Sequence, residues 1–424
     1  MKLSEIKEKI ENGEFGVFRE LYSDLEEAKK RFLAAVKAFA SYYGEEGEVE
    51  VFSVPGRSEI SGNHTDHNGG VVLAGAVSRD IIAIARKTED GEVTVRSDKY
   101  PEDKVSLSDI ENKDSFKSFS SSALIAGVLK GFSDRGYNIG GFVAYTTSDV
   151  LSGSGISSSA AYEVMIGNIL NHLYNNGEIS PVTLAKIARF AECEYFGKPC
   201  GLMDQTACAV GGFVYMDFEN PEEPIVEPIE FNLSEYGYEL CIINTGGSHA
   251  NLNEDYASVP GEMKNIARLL GREALRGLTE NDIIKNIGNL RRVAGDRAVL
   301  RALHFMRENE RVGKIKSALS NKDIEGFLDG IRASGNSSFK YLQNVYSNVD
   351  VKEQGISLAL ALADGYLENK DAAMRVHGGG FAGTIQVFVK KEDTVGFKAY
   401  MDKVFGDGAV SVLTVRKNGA IKLV

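Results

Sequence analysis

The sequence predicts a mixed α+β fold divided into two domains. The chain has 424 residues, which is long for a single hydrophobic core, so two domains are expected. Strand-like segments occur in groups, and the stretch from about residue 261 to 367 has helical patterning throughout. Strands grouped apart from blocks of helix indicate an α+β arrangement rather than a regular alternation of strand and helix.

The predicted division has three parts. Residues 1–24 form an N-terminal extension of short helices, residues 25–225 form the first domain, and residues 226–424 form the second. Neither an internal repeat nor a low-complexity linker marks the boundary.

The first domain is predicted to begin with a helix and continue with strands. From Asp24 to Tyr43 the apolar residues recur every three or four positions, which indicates an amphipathic helix, and Gly44 follows as its stop. Glycines and polar turns separate the strand-like runs that come next, so these runs predict a sheet built from hairpins. The runs are 49–52, 71–73, 81–84, 93–95 and 142–145.

The remaining elements follow in chain order. Helices are predicted from Ser157 to about Tyr174 and from Val182 to about Phe196. Further strands are predicted around the long helical stretch, at 213–216, 240–243, 384–389 and 410–413.

Composition and charge exclude several classes of function. The net charge of −12 argues against a nucleic-acid surface, which would need a basic patch. The first eight residues lack the apolar segment of a signal peptide, and no run approaches the roughly 20 apolar residues that span a bilayer. The four cysteines contain no close CxxC pair, which favours buried free thiols over disulfides. A cytoplasmic protein without nucleic-acid or membrane partners is therefore expected.

A loop of glycines and serines joins a predicted strand to a predicted helix. It reads Gly153-Ser154-Gly155-Ile156-Ser157-Ser158-Ser159-Ala160-Ala161. Glycine lets backbone amides approach an anion, and a helix N-terminus adds free N–H groups and partial positive charge, which suits a polyphosphate. The loop lacks the Lys-Ser/Thr pair of a Walker motif. A capped turn without a ligand is the alternative interpretation.

Two carboxylates follow near a glycine turn. Glu192 and Asp204 flank the segment around Gly201. Phosphoryl transfer needs oxygen ligands for Mg²⁺ and a carboxylate that orients or deprotonates the attacking hydroxyl. Taken alone, Glu192 could lie on a solvated helix face and Asp204 could cap a short helix.

A dense run of polar residues extends from Arg57 to Gly70, and we predict that it forms one loop between strands. Its Asn, His and Asp side chains are the donors and acceptors that sugar hydroxyls require. A metal site at His64, Asp66 and His67 is an alternative, and a polar connection without function is another.

In combination these segments resemble the galactokinases of the GHMP kinase family. The pattern G-R-x-N-x-x-G-E-H-T-D-Y-N-x-G matches the spacing of Gly56 to Gly70, and P-x-G-x-G-L-S-S-S-A matches Gly153 to Ala160. C-G-x-M-D-Q matches Cys200 to Gln205 in full, and a glycine-rich third signature matches Gly378 to Gly383. The matches keep the order of the family and extend from about residue 25 to the end.

The resemblance implies a two-domain GHMP kinase fold with the active site in the cleft between the domains. It implies transfer of a phosphoryl group from ATP to the anomeric hydroxyl of a galactose-like sugar, with Mg²⁺ as cofactor. The chain would be a monomer or a weak homo-oligomer. By resemblance, Asp204 and Arg57 are catalytic, and Ser159 and Glu192 hold the metal. The implied triphosphate-binding residues are Gly153, Ser154, Gly155, Ser157, Ser158 and Ser159, and the implied sugar-binding residues are Asn63, His64, Asp66, Gly201 and Tyr256.

The chain departs from the family pattern mainly at the sugar loop. Asn63 stands in place of the family glutamate, which lies against the sugar 6-hydroxyl, while His67 replaces tyrosine and Glu59 replaces asparagine. Loss of the glutamate charge would admit a carboxylate, so galacturonate is an alternative substrate, as in plant galacturonokinases, which also lack this glutamate. On this interpretation Asn63→Glu should favour galactose.

A non-catalytic sugar sensor is the alternative from another class of function. Known regulators with this fold are altered in the serine loop, whereas Ser157-Ser158-Ser159-Ala160 is intact in this chain.

Overall fold

The computed structural model describes residues 1–14, 16–150, 155–247 and 252–424, and it confirms a mixed α+β fold with two sheets. The helices in these ranges are α1 Leu3–Asn12, α2 Phe18–Leu21, α3 Leu25–Tyr43, α4 Ser121–Ser133, α5 Ser158–Asn175, α6 Pro181–Phe190, α7 Met203–Val210, α8 Asn253–Leu269, α9 Glu280–Lys285, α10 Ile287–Ala294, α11 Asp296–Ser320, α12 Ile324–Ser337, α13 Gly355–Tyr366 and α14 Lys391–Phe405. The strands are β1 Glu50–Ser61, β2 Val71–Lys87, β3 Glu92–Ser97, β4 Glu102–Ser106, β5 Phe142–Ser148, β6 Phe213–Asp217, β7 Ile225–Ile229, β8 Tyr238–Asn244, β9 Ala373–His377, β10 Thr384–Lys390, β11 Val410–Leu413 and β12 Ile421–Lys422.

The larger sheet has the strand order β12-β1-β2-β5-β3-β4, and the β6–β7 hairpin pairs with the first part of β2. Its strand pairs are antiparallel except for β3 and β5, which run parallel. The smaller sheet has the order β11-β8-β10-β9 and is antiparallel. The last residues of β1 stay paired with β2, and their side chains also contact the smaller sheet and α11.

The larger sheet buries both of its faces, and β2 shows why. Ile81 and Ala83 pack into the core shared with α4, α5 and α6, whereas Ile82 and Ile84 pack against α1 and α3 on the opposite face. Side chains alternate along a strand, so a nearly continuous apolar run is what a strand covered on both sides requires.

The helix predicted from Asp24 is confirmed as α3, and the Asp24 side chain caps it by accepting a hydrogen bond from the Glu27 amide at 3.0 Å. The helix predicted from Val182 to Phe196 is present as α6, which continues as a π-helical turn, Ala191–Phe196. No helix in the described part of the chain is long and apolar enough to cross a membrane.

Two predictions about the first strands were wrong. The runs at 71–73 and 81–84 belong to one long strand, β2, and residues 57–61 of the predicted polar loop are the second half of β1. Pro, Gly and polar residues locally favour a turn, but pairing with β2 keeps this segment extended through two register shifts. The loop proper begins at Gly62.

The division at residue 225 stays a prediction. Strand β7, which begins at that residue, pairs with β6 in the larger sheet, and β12 from the end of the chain pairs with β1 in the same sheet. The extension is also packed, because Leu3, Ile6 and Ile10 of α1 are buried against α3.

A buried carboxylate ties the N-terminal helices, the larger sheet and the C-terminal segment together. Asp80 is fully buried and accepts hydrogen bonds from Tyr22 at 2.5 Å, Arg31 at 2.5 Å and Arg416 at 3.0 Å, and from Ser53. Burial alone would raise the pKa of Asp80, but the two guanidinium groups outweigh it and hold the pKa below the ordinary 3.8.

Asp80→Asn should therefore destabilise the protein. The substitution removes the anion that two guanidinium groups share. Arg31 keeps a second carboxylate, Asp149, at 2.9 Å, whereas the buried Arg416 loses its ion-pair partner. Breaking a buried pair in this way costs about 3–5 kcal/mol of unfolding free energy at pH 7. Because the folded pKa is lowered, the stabilisation is present above pH 3.8 and is lost as the pH falls below it. Urea unfolding at pH 7 and pH 3.5 measures both effects.

The exposed Asp296, which pairs with Arg291, supplies the control. Asp296→Asn should leave the unfolding free energy close to that of the wild type, because an exposed ion pair is screened by solvent. An Asp80→Asn protein as stable as this control at pH 7 would contradict the role of the buried cluster.

Candidate active site

A cavity of about 160 Å³ lies where β1, the turn that follows it, the start of α7 and the turn after β9 meet. Its lining residues are Arg57, Glu59, Gly62, His64, Asp66, His67, Val72, Cys200, Gly201, Met203, Asp204, Gly378 and Gly379. The lining combines charged side chains with glycine backbone, and it draws on the larger sheet, on α7 and on the smaller sheet.

Arg57 and Asp204 form a bidentate ion pair in this cavity. The Arg57 Nε donates to Asp204 Oδ1 at 2.7 Å, and its Nη2 donates to Oδ2 at 2.5 Å. Burial alone would raise the pKa of Asp204, but the attraction of Arg57 outweighs it and the pKa lies below the ordinary 3.8. Asp204 also lies in the first turn of α7, where the helix dipole favours a negative charge. The carboxylate is therefore ionised at neutral pH.

The glycine/serine loop reaches the same ion pair. The third guanidinium nitrogen, Arg57 Nη1, donates to the Gly155 carbonyl at 2.6 Å, and the Ser157 hydroxyl donates to Asp204 Oδ2. Ser157 has a φ of 59°, which is uncommon for a residue with a side chain, and α5 begins at the next residue, Ser158. The predicted residues Gly153 and Ser154 lie outside the described residues.

The two predicted metal ligands lie together. Ser159 Oγ donates to Glu192 Oε1 at 3.0 Å, and the Lys198 ammonium contacts the same carboxylate oxygen at 2.8 Å. Glu192 is held from its other side by the Gln205 amide, which donates to Oε2 at 2.7 Å. Hydroxyl and carboxylate oxygens are the ligands that Mg²⁺ prefers, and a cationic group already contacts Glu192, so the residues fit a divalent cation.

His64 and Asp66 also line the cavity. The His64 Nε2 lies 2.9 Å from the Gly379 carbonyl, which can only accept, so this nitrogen carries the hydrogen and Nδ1 is an acceptor. Burial lowers the pKa of His64 to about 4, so the ring is neutral at pH 7. A Cβ at position 201 would lie only 2.5 Å from Asp66 Oδ2. The predicted residue Gly201 has no side chain and therefore leaves room for this carboxylate.

Two predicted sugar-binding residues lie behind the cavity wall. Asn63 is fully buried and is not among the lining residues. The hydroxyl of Tyr256 donates to the Gly380 carbonyl at 3.0 Å, and its ring packs on Phe381. Tyr256 therefore supports the glycine-rich turn from behind. Sequence spacing predicted proximity for both residues, but the direction of a side chain depends on packing.

Sequence reasoning missed Glu59 as a lining residue. Glu59 lies two positions after Arg57, and residues two apart on a strand share one face, so the signal was present once this segment is read as a strand. Its partner Arg375 donates to Glu59 Oε1 at 3.0 Å from β9, a contact that no local pattern could have revealed.

A buried carboxyl group lies behind the metal-ligand pair. Glu163, one turn after Ser159 on α5, is fully buried and accepts a hydrogen bond from Gln205 at 3.2 Å. Burial, reinforced by the charge of Glu192, raises the pKa of Glu163 well above its ordinary 4.5. Glu163 is therefore most stable in the fold as the neutral acid.

Comparisons with protein families agree with this geometry. Residues 123–212 match the model of the GHMP kinases N terminal domain, and residues 37–87 match the galactokinase galactose-binding signature. These two ranges contain most of the cavity-lining residues.

Individual relatives give the same result along most of the chain. The galactokinase of Streptomyces coelicolor is 31% identical over 359 residues, which cover 83% of this chain and 87% of the relative. The galactokinase of Thermotoga petrophila is 30% identical over 339 residues, which cover 80% of this chain and 88% of the relative.

Solved structures share the fold. Lactococcus lactis galactokinase complexed with galactose matches with a TM-score of 0.77 at 23% identity, covering 92% of this chain and 99% of that structure. The mevalonate kinase of Methanococcus jannaschii matches with a TM-score of 0.62 at 14% identity, covering 87% and 99%.

Glu163→Gln should stabilise the protein increasingly as the pH rises. A group whose pKa is raised by folding contributes stability below its ordinary pKa, here 4.5, and loses it as the pH rises. Glutamine keeps an acceptor oxygen for Gln205 and cannot ionise. We expect equal melting temperatures for variant and wild type at pH 5 and a higher value for the variant at pH 8.

Glu8→Gln, on the exposed face of α1, is the matched control. Its difference from wild type should be the same at pH 5 and pH 8. A Glu163→Gln protein that melts below wild type at pH 8 would mean that the ionised carboxylate is needed in the fold.

Proposed function

Because the chain belongs to the galactokinase family of the GHMP kinases, we propose that it transfers the γ-phosphoryl group of ATP to the anomeric hydroxyl of galactose. The products are galactose 1-phosphate and ADP. The observation that carries the proposal is the bidentate Arg57–Asp204 pair, which lies at the meeting point of the glycine/serine loop and the polar cavity.

Asp204 is assigned the role of orienting the anomeric hydroxyl and accepting its proton. A carboxylate with a lowered pKa is a weak base, but the transition state of phosphoryl transfer is loose and needs little deprotonation of the attacking oxygen. The bond from the γ-phosphorus to the bridging oxygen of ADP breaks while the bond to the sugar oxygen forms. Arg57 keeps Asp204 ionised and places positive charge beside the transferring group.

The start of α5 is assigned to the triphosphate. Its free backbone amides and the partial positive charge of the helix N-terminus favour a polyphosphate, and the hydroxyls of Ser157, Ser158 and Ser159 add hydrogen-bond donors. Gly155 and the two residues outside the described ranges, Gly153 and Ser154, belong to the same assignment.

Ser159 and Glu192 are assigned to Mg²⁺. The ion, when bound, would neutralise charge on the phosphate oxygens. Lys198 and Gln205 would keep the Glu192 carboxylate oriented, since each donates to one of its oxygens.

The sugar would occupy the part of the cavity around His64, Asp66 and Gly201. Neutral His64 offers an acceptor nitrogen and Asp66 offers a carboxylate, and both suit hydroxyl groups. A cytoplasmic location, a monomeric or weakly oligomeric state and the absence of nucleic-acid and membrane partners stay predictions.

Release of ADP from ATP and Mg²⁺ should be measured with galactose, galacturonate, N-acetylgalactosamine, arabinose and glucose. We expect turnover of galactose, and ³¹P NMR of the product should show phosphate on the anomeric oxygen. If a folded protein turns over none of these sugars, the sensor alternative is favoured over the kinase.

Asp204→Asn should lower kcat for galactose by about 10²- to 10⁴-fold, because the group that orients and deprotonates the hydroxyl is lost. The KM for ATP should change little, since Asp204 lies on the acceptor side of the transferring group. Asp329→Asn, which alters an exposed ion pair on α12, should keep the wild-type rate. A wild-type rate for Asp204→Asn would exclude its proposed role.

Glu192→Gln should raise the Mg²⁺ concentration needed for half-maximal rate by roughly tenfold or more, because a neutral ligand holds a divalent cation less well. Binding of Mn²⁺ followed by electron paramagnetic resonance, in the presence of an ATP analogue, gives a readout independent of turnover. Unchanged Mn²⁺ affinity would remove Glu192 from the metal site.

A further inference from the structure

Strand β1 and the turn after it carry an acidic and an amide residue in exchanged positions. The signature that this segment resembles has asparagine two residues after the arginine and glutamate six residues after it. This chain has Glu59 and Asn63 at those positions. Each position therefore holds the residue type that the signature has at the other.

The two exchanged side chains contact each other. Asn63 Nδ2 donates to Glu59 Oε1 at 2.8 Å. Because they touch, carboxylates at both positions would repel each other at hydrogen-bond distance. The contact explains why one replacement accompanies the other: the pair keeps a single negative charge.

Asn63 has no hydrogen atom left for a ligand. Its second amide hydrogen goes to the Gly378 carbonyl at 2.8 Å, and its oxygen accepts from Asn344 at 2.7 Å. The backbone carbonyl of Asn63 lies 2.9 Å from His304 Nε2. All of these partners belong to the protein, so Asn63 acts as a fixed support for the wall.

Glu59, unlike Asn63, has an atom without a partner among the described residues. It lines the cavity, and its Oε1 is held by Asn63 and by Arg375, whose side chain is fully buried behind it. Among the described residues Oε2 has no hydrogen-bond partner, and the Glu59 side chain keeps 8% of its surface exposed. The carboxylate thus offers one oxygen to the cavity, while its balancing cation cannot reach a ligand.

We propose that Glu59 selects an uncharged sugar by accepting a hydrogen bond from a substrate hydroxyl and repelling a substrate carboxylate. The proposal rests on the proposed sugar kinase function and identifies the substrate class as a neutral galactose-type hexose rather than a hexuronate. Burial raises the pKa of Glu59 above its ordinary 4.5, while Arg375 and Asn63 oppose that shift by stabilising the ionised form. The wall carries three carboxyl groups, those of Glu59, Asp66 and Asp204, so a substrate carboxylate would lie among acidic groups.

This assignment reverses the expectation drawn from Asn63 alone. Sequence comparison at that single position suggested that the pocket had lost a negative charge, whereas the structure places the charge on Glu59. Asn63→Glu by itself should therefore impair the enzyme on galactose, since it creates two adjacent carboxylates. Only the double exchange Glu59→Asn with Asn63→Glu restores one charge.

The test compares kcat/KM for galactose and galacturonate, at saturating ATP and Mg²⁺, in four full-length proteins. These are the wild type, Glu59→Gln, Asn63→Glu and the double exchange. We expect the wild type to favour galactose by at least about 100-fold, as a missing hydrogen bond and an added like charge both oppose the uronate. Glu59→Gln should raise KM for galactose by roughly 10- to 100-fold. It should also reduce the ratio of kcat/KM for galactose to that for galacturonate, and it should leave KM for ATP unchanged.

The double exchange should have a kcat/KM for galactose at least about tenfold higher than that of Asn63→Glu alone. Independent structural damage from each substitution would not produce this recovery. Melting temperatures show whether each variant folds. If Glu59→Gln does not fold, calorimetric affinities of the wild type for the two sugars decide: tighter binding of galacturonate overturns the proposal, and tighter binding of galactose supports it.

Two results would overturn the inference without affecting the kinase function. One is a wild type that prefers galacturonate, and the other is a Glu59→Gln protein with unchanged KM for galactose and unchanged preference. A folded wild type without turnover of either sugar would instead overturn the proposed function on which the inference rests.

Discussion

The site depends on one constraint: residues 57–61 of β1 are buried although four of their five side chains are polar. Buried polar groups must be hydrogen-bonded, and each side chain here finds its partner on a different element. Arg57 pairs with Asp204 on α7, Ser58 donates to Gln386 on β10, Glu59 pairs with Arg375 on β9, and Ser61 donates to Glu308 on α11. The strand therefore fixes the larger sheet, the smaller sheet and the helical region relative to one another.

The same strand places two ion pairs in different parts of the site. The Arg57–Asp204 pair faces the serine loop, where phosphoryl transfer would occur, and the Glu59–Arg375 pair lies two residues further along the strand, next to the polar part of the cavity. Breaking a buried pair is costly, so both carboxyl groups are held in fixed positions. Preorganised charge of this kind acts without reorganisation when a substrate binds.

Behind the serine loop, two neighbouring carboxyl groups, Glu192 and Glu163, have different surroundings. Glu192 is surrounded by donors from Ser159, Lys198 and Gln205, while burial and the charge of Glu192 raise the pKa of Glu163 behind it. The Glu192 carboxylate, the proposed magnesium ligand, is thus held by donors on both of its oxygens. The arrangement explains how two acidic residues can lie within one hydrogen-bonded chain in a protein interior.

The sequence by itself determined the mixed fold, the helix that begins after Asp24, most of the strands and the segments that form the site, because these depend on local periodicity and on motif spacing. Of the predicted site residues, Arg57, His64, Asp66, Gly201 and Asp204 line one cavity, although their individual roles stay predictions. Tertiary structure alone decided which side chains face that cavity. Residues 57–61 contain turn-forming residue types, yet pairing with β2 makes them a strand, and the strand turns Glu59 inward. Asn63 matches the spacing of a sugar ligand, yet Gly378 and Asn344, far away in sequence, occupy its amide group. Partners contributed by distant segments decide side-chain direction, and a local pattern contains no information about them.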